Sequence, residues 1–323
     1  MKVLYIVGVG RSGSTLLERM LGALPGWLNA GELNAVFSRV VQQDQRCGCG
    51  TPFSACEFWQ AVGQQAFGGW TEVSARMSAL QPRVVRQRFV PRLVTGVMDG
   101  TARRELDEYL ECHEILYRAL ASVSGAEVVV DASKSTAQLF ALRRIEALDL
   151  RIVNLVRDSR GVANSWNKSG LRKPQSRDGD SMGTYSPHRL AVLWAALQME
   201  SALLGAAAPH RARMRYEDLV ERPRPTLEQT LQRVGLPAGP GALDHVGEHS
   251  VHLDASHGIA GSRTRFTTGR IELRLDDAWR TSLPPVSRRV VTAVTLPQLI
   301  GYGYVGPRKR PAPVEEPRTN AWQ

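Results

Sequence analysis

The sequence lacks the long apolar run that a membrane-spanning helix needs. No stretch of about 18 consecutive uncharged apolar residues occurs in the 323-residue chain, which excludes such a helix on length. The apolar segment 3–9 is too short for the core of a signal peptide, and it leads directly into a glycine-rich loop. We therefore expect a cytoplasmic protein without a transmembrane segment.

Cysteine is scarce as well. The chain has four cysteines, which are Cys47, Cys49, Cys56 and Cys112. In a chain of this length without a signal peptide, so few cysteines do not indicate a disulfide scaffold. Their number therefore favours a fold that depends on an ordinary hydrophobic core.

Lysine is rare among the basic residues, and arginine carries most of the positive charge. Lysine accounts for five of the 41 basic residues, which stand against 31 acidic ones and give a net charge of +10. Arginine presents a planar fork of donors that binds phosphate and sulfate oxyanions. Because the basic residues are dispersed rather than gathered into blocks, the charge favours a small anionic ligand over nucleic acid.

Strand and helix patterns alternate along much of the chain. Apolar, β-branched segments predict four strands, at residues 2–7, 127–130, 150–156 and 212–216. Helical periodicity follows each of these segments. This alternation predicts an α/β fold with a mainly parallel sheet and helices on both faces.

The remaining segments define the expected domain organisation. Residues from about 57 to 124 have helical periodicity with few strand signals, which predicts a helical insertion. Residues 170–187 have the polar, glycine-rich composition of a mobile loop. We expect a single domain over residues 1–306, followed by a disordered tail at 307–323 that is rich in Pro, Arg and Glu.

The loop after the first predicted strand matches the dinucleotide-binding fingerprint in part. Gly8, Gly10 and Gly13 have the spacing Gly-x-Gly-x-x-Gly. That fingerprint also requires a second strand that ends in an acidic residue about 20 positions later. The segment 25–31 before Glu32 has a poor strand pattern, which argues against a nicotinamide cofactor.

The same loop also matches the nucleotide P-loop, except that Ser14 stands where a lysine would reach the terminal phosphates. What the templates share is a turn that directs unpaired N–H groups and the positive end of a helix dipole at an anion. Ser12, Ser14 and Thr15 add hydroxyl donors, and Arg11 adds a cation. A plain strand-to-helix turn capped by Ser12 or Ser14 would leave these groups unexplained.

A second candidate anion site lies in the segment 155–166. Arg157 follows a predicted buried strand, at the carboxyl end where ligands of open α/β sheets bind. Ser165 lies eight positions later, or about two helical turns, so it can face the same pocket. Arg157 alone fits a structural salt bridge equally well. Its combination with the first loop favours a ligand.

Together these segments resemble the sulfotransferases that use 3′-phosphoadenosine 5′-phosphosulfate (PAPS). Residues 11–16 resemble the loop that binds the 5′-phosphosulfate in that family, and Arg157 and Ser165 resemble its 3′-phosphate clamp. Tyr216 resembles the tyrosine that lies beside the adenine. The resemblance runs in order from about residue 1 to residue 279, and it implies a P-loop-like sulfotransferase fold.

Within that family the chain is more similar to the protein-tyrosine and carbohydrate type, and to bacterial relatives, than to the cytosolic small-molecule type. Arg11 stands where the cytosolic enzymes have lysine, and Gly31-Glu32 resembles a Gly-Glu pair whose glutamate is the general base. Lys134 lies where the family has a catalytic lysine or histidine. The cytosolic cofactor pattern is only partly met after residue 256. There, Arg265 is the candidate cofactor ligand, and Arg263 is the alternative.

The resemblance implies transfer of the sulfuryl group from PAPS to an acceptor hydroxyl by in-line, metal-independent displacement, with release of adenosine 3′,5′-bisphosphate. In such a reaction, catalysis is mostly positioning and charge stabilisation. Glu32 is the candidate base, and Arg11 and Lys134 are the candidates for stabilising the leaving oxygen. We expect the acceptor hydroxyl to belong to a sugar, lipid, natural product or peptide. A P-loop-type small-molecule kinase or NTPase is the alternative.

Three of the cysteines are close enough in sequence to suggest a metal site. Tetrahedral zinc needs four ligands, however, and Cys47-Gly-Cys49 is shorter than the usual Cys-x2–4-Cys spacing. Cys112 or His113 would complete a site only if the fold brought it near. We therefore expect reduced structural thiols rather than a disulfide or a metal. Four nearby histidines fit no metal motif and are interpreted as loop residues: His245, His249, His252 and His257.

Overall fold

The computed structural model describes residues 1–167, 185–205 and 210–306. Most of the predicted loop at 170–187 and all of the predicted tail at 307–323 lie outside the described residues. The strands are β1 (Lys2–Gly8), β2 (Trp27–Gly31), β3 (Val128–Lys134), β4 (Asp149–Val156), β5 (Arg211–Arg215), β6 (Ser250–Leu253) and β7 (Gly269–Glu272). The helices are α1 (Ser14–Gly22), α2 (Glu57–Phe67), α3 (Thr71–Val84), α4 (Val90–Thr95), α5 (Gly100–Ser124), α6 (Thr136–Leu142), α7 (Ser159–Asn167), α8 (Pro187–Gly205), α9 (Tyr216–Glu221), α10 (Pro223–Arg233), α11 (Trp279–Ser282) and α12 (Pro285–Gly301).

A five-stranded parallel sheet in the order β2-β3-β1-β4-β5 forms the centre of the fold. Side chains alternate across β1, so that Val3 and Tyr5 pack into one core and Leu4 and Ile6 into the other. The first core includes the helices of the insertion, and the second includes α1, α9 and α10. The predicted α/β fold, with helices on both faces of the sheet, is confirmed. None of the helices in the described part of the chain has the length and apolarity that crossing a bilayer requires.

The segment expected to be a poor strand contains β2. Trp27 pairs with Val128 of β3, and Asn29 pairs with Val130. β2 is at the edge of the sheet, where pairing with β3 stabilises a short strand whose own composition is a weak strand signal. Because this strand is present, the interpretation of residues 25–31 as a poor strand was wrong, and it gives no argument against dinucleotide binding. The strand order argues against a dinucleotide-binding fold. In that fold the second strand lies beside the first, whereas here β2 lies beside β3.

A backbone contact beyond the end of β2 extends this edge of the sheet. Ile259 donates from its N–H to the carbonyl of Ala30 at 3.2 Å, and Glu32 donates from its N–H to the carbonyl of Ile259 at 2.9 Å. Gly31 lies between these bonds with a φ of 80°. A Cβ atom at Gly31 would collide with the backbone of Ile259. The absence of a side chain at Gly31 therefore permits the pairing that positions Glu32.

Gly31→Ala should destabilise the protein more than Gly125→Ala, in which backbone strain is the main cost. Gly125 has a φ of 67°, and a Cβ atom there would meet nothing within 4 Å. Both substitutions introduce left-handed strain of about 1 kcal/mol. Gly31→Ala adds a backbone collision, which should cost roughly a further 1–3 kcal/mol. Denaturant unfolding of both variants measures the difference, and equal losses would contradict the pairing.

Candidate active site

A cavity of about 450 Å³ opens at the carboxyl edge of the parallel sheet. It is lined by nine of the residues that the sequence predicted for the site, namely Arg11, Gly13, Ser14, Thr15, Glu32, Lys134, Arg157, Ser165 and Tyr216. They come from segments that follow β1, β2, β4 and β5 and from the end of β3. Because the carboxyl ends of parallel strands meet at one edge, segments far apart in sequence share this cavity.

The loop between β1 and α1 supplies one wall of the cavity. Gly13, with a φ of 89°, is the N-cap of α1 and has no side chain to accept from the N–H groups of the first turn. A Cβ atom at Gly13 would collide with the ring of Tyr216. Ser12 is 2% exposed, and its hydroxyl has no hydrogen-bond partner among the described atoms. The loop therefore offers donors suited to an anion.

Arg157 brings a second cation to the same loop. Its Nη1 donates to the carbonyl of Arg11 at 2.8 Å, and its guanidinium carbon lies 4.7 Å from the centroid of the Tyr216 ring. Burial lowers the pKa of Arg11, and the positive charge of Arg157 lowers it further. The charges of Arg11 and Arg157 repel each other, and a nearby anion would offset this repulsion. The two cations make this part of the cavity suited to negative charge.

Asp276 provides part of that negative charge in the structure. Its Oδ2 accepts from Arg157 Nη2 at 2.9 Å, and its carbonyl accepts from the same atom at 3.2 Å. Asp276 lies in the segment after β7 and was not singled out in the sequence analysis. An anion that binds Arg157 must share this guanidinium with Asp276 or displace its carboxylate.

Glu32 and Lys134 form an ion pair within the cavity. Glu32 Oε1 lies 2.5 Å from Lys134 Nζ, and the two side chains are 15% and 16% exposed. Arg39, on a π-helical segment at Val36–Val41, places Nη2 at 3.8 Å from the other carboxylate oxygen of Glu32. The candidate base and the candidate lysine are therefore adjacent. Arg39, which also lies near the Glu32 carboxylate, was not predicted from the sequence.

A buried network holds the Glu32 loop against β3. Asp131 Oδ1 accepts from the N–H of Ser133 at 2.8 Å and from the N–H of Leu33 at 3.4 Å. Its Oδ2 accepts from the hydroxyl of Tyr117 at 2.5 Å. Asn34 donates from its N–H to Ser133 Oγ at 2.9 Å. These bonds join the residues after Glu32 to the residues before Lys134, so they fix the ion pair.

Backbone strain is concentrated at the cavity. Among the described residues other than glycine, positive φ angles occur at Arg11, Asp44, Lys134 and Ala260. All of these except Asp44 line the cavity. A non-glycine residue in this conformation costs about 1–3 kcal/mol, and such residues cluster at functional sites. The strain is thus an indication of function that does not depend on side-chain chemistry.

The structure does not bring Arg265 into the cavity. Its side chain is buried, with Nη2 donating to the carbonyl of Arg46 at 2.7 Å and Nη1 donating to the carbonyl of Ala260. Burial lowers its pKa to about 10. Arg263 is exposed and is not part of the lining either, although Thr264 between them is. Both arginines lie in a short 3-10 turn, which directs Arg265 towards the interior rather than the cavity.

Besides Asp276 and Arg39, two further residues at the site were not predicted. Trp166 lines the cavity and donates from Nε1 to the carbonyl of Gly10 at 3.1 Å. The centroid of its ring lies 5.4 Å from the guanidinium carbon of Arg11. Arg19 of α1 donates to the carbonyls of Thr264 and Thr267, each at 2.6 Å, and holds that wall in place. Trp166 follows Ser165 directly, so its position was a usable signal. No such signal existed for Arg19, because its carbonyl partners all lie more than 230 positions away in the sequence.

A parallel α/β sheet with an anion-binding loop at its carboxyl edge is a fold class shared by many enzymes. A model of the Sulfotransferase family matches residues 4–240, which is most of the chain. The chain therefore belongs to the Sulfotransferase family and is a transferase, as the sequence predicted.

Solved structures similar to the chain include three sulfotransferases. The sulfotransferase domain of the Synechococcus PCC 7002 olefin synthase is 17% identical, with 91% of this chain and 94% of that chain covered and a TM-score of 0.47. The sulfotransferase domain of the curacin biosynthetic pathway is 19% identical, with 91% of this chain and 97% of that chain covered and a TM-score of 0.48. Sulfotransferase STF1 of Mycobacterium tuberculosis H37Rv is 14% identical, with 75% of this chain and 70% of that chain covered and a TM-score of 0.40. The comparison with curated proteins gave no significant match.

Glu18 is a buried carboxyl group behind the cavity wall. It lies on α1, is 1% exposed, and its Oε2 has no hydrogen-bond partner among the described atoms. Burial raises its pKa well above the ordinary value, and the positive charge of Lys134 offsets only part of this increase. The folded protein therefore favours the protonated form of Glu18.

Glu18→Gln should make stability less sensitive to rising pH. Because the folded-state pKa of Glu18 lies above its unfolded value, its contribution to stability is lost as the pH rises through the folded pKa. Between about pH 5 and about pH 8, the free energy of unfolding should fall less in Glu18→Gln than in the wild type. Glu228→Gln, at an exposed position on α10, is the control and should follow the wild type. Parallel curves for all three proteins would contradict a protonated Glu18.

Proposed function

We propose that the chain transfers a sulfuryl group from PAPS to an acceptor hydroxyl by in-line, metal-independent displacement. The observation that carries this proposal is the convergence of Arg11, Arg157 and the start of α1 on the cavity that contains the Glu32–Lys134 pair. Anion-binding groups and a candidate proton acceptor thus share one space in a member of the Sulfotransferase family. The alternative P-loop kinase or NTPase has no comparable support, because Ser14 replaces the lysine of that motif.

The donors around the cavity fit PAPS. The first turn of α1, with the hydroxyls of Ser14 and Thr15, suits the 5′-phosphosulfate. Ser12 is buried and is not part of the cavity lining, and its hydroxyl has no partner among the described atoms. Arg157 and Ser165 lie further along the lining and suit the 3′-phosphate. Bound PAPS supplies an activated sulfuryl group, and the chain supplies the groups that orient it.

Glu32 is the proposed general base. Its carboxylate accepts the proton of the acceptor hydroxyl as the new oxygen–sulfur bond forms. Lys134, at 2.5 Å from Glu32, keeps that carboxylate oriented in the cavity. As the bond between sulfur and the 5′-phosphate oxygen breaks, Lys134 and Arg11 stabilise the negative charge that develops on that oxygen. Positioning and charge therefore account for the reaction.

Calorimetric titration of the full chain tests the donor. We expect adenosine 3′,5′-bisphosphate to bind without magnesium, because arginine and the loop donors provide the phosphate contacts. ATP with magnesium should bind much more weakly. Magnesium-dependent ATP binding without any binding of the bisphosphate would overturn the proposal in favour of the P-loop alternative.

Variants at the second cation show whether the site recognises the 3′-phosphate. Arg157→Ala removes charge-assisted bonds worth about 1.5–3 kcal/mol, so it should weaken the bisphosphate roughly ten- to 150-fold and adenosine 5′-phosphate much less. Ser165→Ala should have a smaller effect in the same direction. Asp276→Asn removes the competing carboxylate and should strengthen the bisphosphate about two- to fivefold. Equal losses of both nucleotides in Arg157→Ala would refute the assignment.

Glu32→Gln should reduce the rate of sulfuryl transfer about 10²–10⁴-fold, because an amide cannot accept the proton. The measurement is sulfate transfer from PAPS to a series of phenols of graded acidity. The most acidic phenols should partly restore Glu32→Gln, since they need less help from a base. Lys134→Ala should stay slow with every phenol, because it loses stabilisation of the leaving oxygen instead.

The matched control for Glu32 is a second carboxylate in the cavity lining. Glu272 is exposed and pairs with Arg270 at 2.9 Å. Glu272→Gln should keep the wild-type rate within a few-fold. A wild-type rate for Glu32→Gln with weakly acidic phenols would show that Glu32 is not the base.

A further inference from the structure

A cluster of sulfur and nitrogen atoms lies outside the cavity. The ligand atoms of Cys47, Cys49, Cys56 and His257 all lie within 4.8 Å of one another. His257 is 201 positions from Cys56 along the chain, which is why sequence spacing did not reveal it as the fourth member. Cys112 and His113, which the sequence offered as alternative fourth ligands, lie on α5 and are not part of the cluster.

The separations within the cluster are those of a tetrahedral zinc site. With Zn–S bonds of about 2.3 Å and Zn–N bonds of about 2.0–2.1 Å, a tetrahedron places two sulfurs about 3.8 Å apart and a sulfur about 3.6 Å from a nitrogen. Cys49 Sγ lies 3.8 Å from Cys56 Sγ. His257 Nδ1 lies 3.7 Å from Cys47 Sγ and 3.3 Å from Cys56 Sγ. These three separations are close to the tetrahedral values, and the other three are at most 4.8 Å.

The surroundings of the cluster orient its ligands. Thr51 Oγ1 lies 3.1 Å from Cys49 Sγ, within hydrogen-bond distance. The ring of Phe58 stacks on the imidazole of His257, with centroids 4.7 Å apart. Trp59 also donates from Nε1 to the carbonyl of His257 at 2.8 Å. The imidazole is therefore held with Nδ1 towards the sulfurs.

We propose that Cys47, Cys49, Cys56 and His257 bind one Zn²⁺ ion. Three thiolates and an imidazole are a soft donor set that selects zinc over magnesium or calcium. Four protein ligands would fill the tetrahedral coordination and leave no open position, so the site is structural rather than catalytic. Cys47 and Cys56 are buried, and Cys49 and His257 are partly buried. This revises the expectation of metal-free thiols and of His257 as a simple loop residue.

The proposed ion would fasten the cysteine loop to the segment that forms a wall of the cavity. Gly48 donates from its N–H to the carbonyl of Gly258 at 3.0 Å, and Arg265 donates to the carbonyl of Arg46 at 2.7 Å. Ile259, two residues after His257, accepts from the N–H of Glu32. Zinc would thus stabilise the backbone pairing beside the candidate base without contacting the substrate.

The metal content of the full-length protein tests the proposal. The chain is purified with a tag that does not bind metal and without chelator, and its metals are measured by inductively coupled plasma mass spectrometry. We expect one zinc per chain in the wild type and in Cys112→Ala, which changes a buried cysteine outside the cluster. Cys49→Ala and His257→Ala should lose nearly all of it. Cobalt in place of zinc should give the absorption of a tetrahedral thiolate site.

The wild-type protein alone decides the outcome if the variants fail to fold. Strong chelation should lower its melting temperature by several degrees, and added zinc should restore it, because a metal bound only by the folded state stabilises that state. A wild-type protein from zinc-supplemented medium with four reduced thiols and no metal would overturn the proposal. So would a disulfide within the cluster or iron in place of zinc.

Discussion

The cavity depends on the backbone pairing of residues 30–32 with Ile259. A sheet edge presents unpaired N–H and C=O groups, and here a segment from more than 220 positions further along the chain satisfies them. Glu32 is fixed by this pairing on one side and by the Asp131 network on the other. Arg19 and Arg265 then hold the same distant segment through backbone carbonyls. The position of one candidate catalytic side chain thus rests on buried polar contacts made by residues that take no part in the chemistry.

The electrostatics of the site follow from the concentration of cations there. Arg11, Arg157, Lys134 and Arg39 all line one cavity. Arg157 and Lys134 are mostly buried, which weakens the screening of their charges, whereas Arg39 is exposed. In the structure, Asp276 and Glu32 balance part of this charge through ion pairs with Arg157 and Lys134. The backbone at Arg11 and Lys134 is strained as well. Like charges and backbone strain in one place are typical of functional sites, and this combination is consistent with the proposed anionic donor.

Local pattern was sufficient for much of the fold and for most of the candidate site. The four predicted strands are present, and residues 57–124 are mostly helical, because buried strands and amphipathic helices carry their periodicity in the sequence. The positions of the site residues after strands were enough to place nine of them at one edge, since a parallel sheet aligns its carboxyl ends. β2 was missed because a short edge strand is stabilised by its neighbour rather than by its own composition.

The sequence by itself determined the composition of the anion-binding loop, the strand–helix alternation and the family. Tertiary structure alone decided which long-range partners meet. It directed Arg265 inward to the carbonyl of Arg46, set Asp276 against Arg157 and brought His257 to Cys56. Each of these contacts joins residues more than 100 positions apart, and no local periodicity encodes such a pairing. The contacts arise from chain packing, in which buried polar groups must find partners wherever the fold places them.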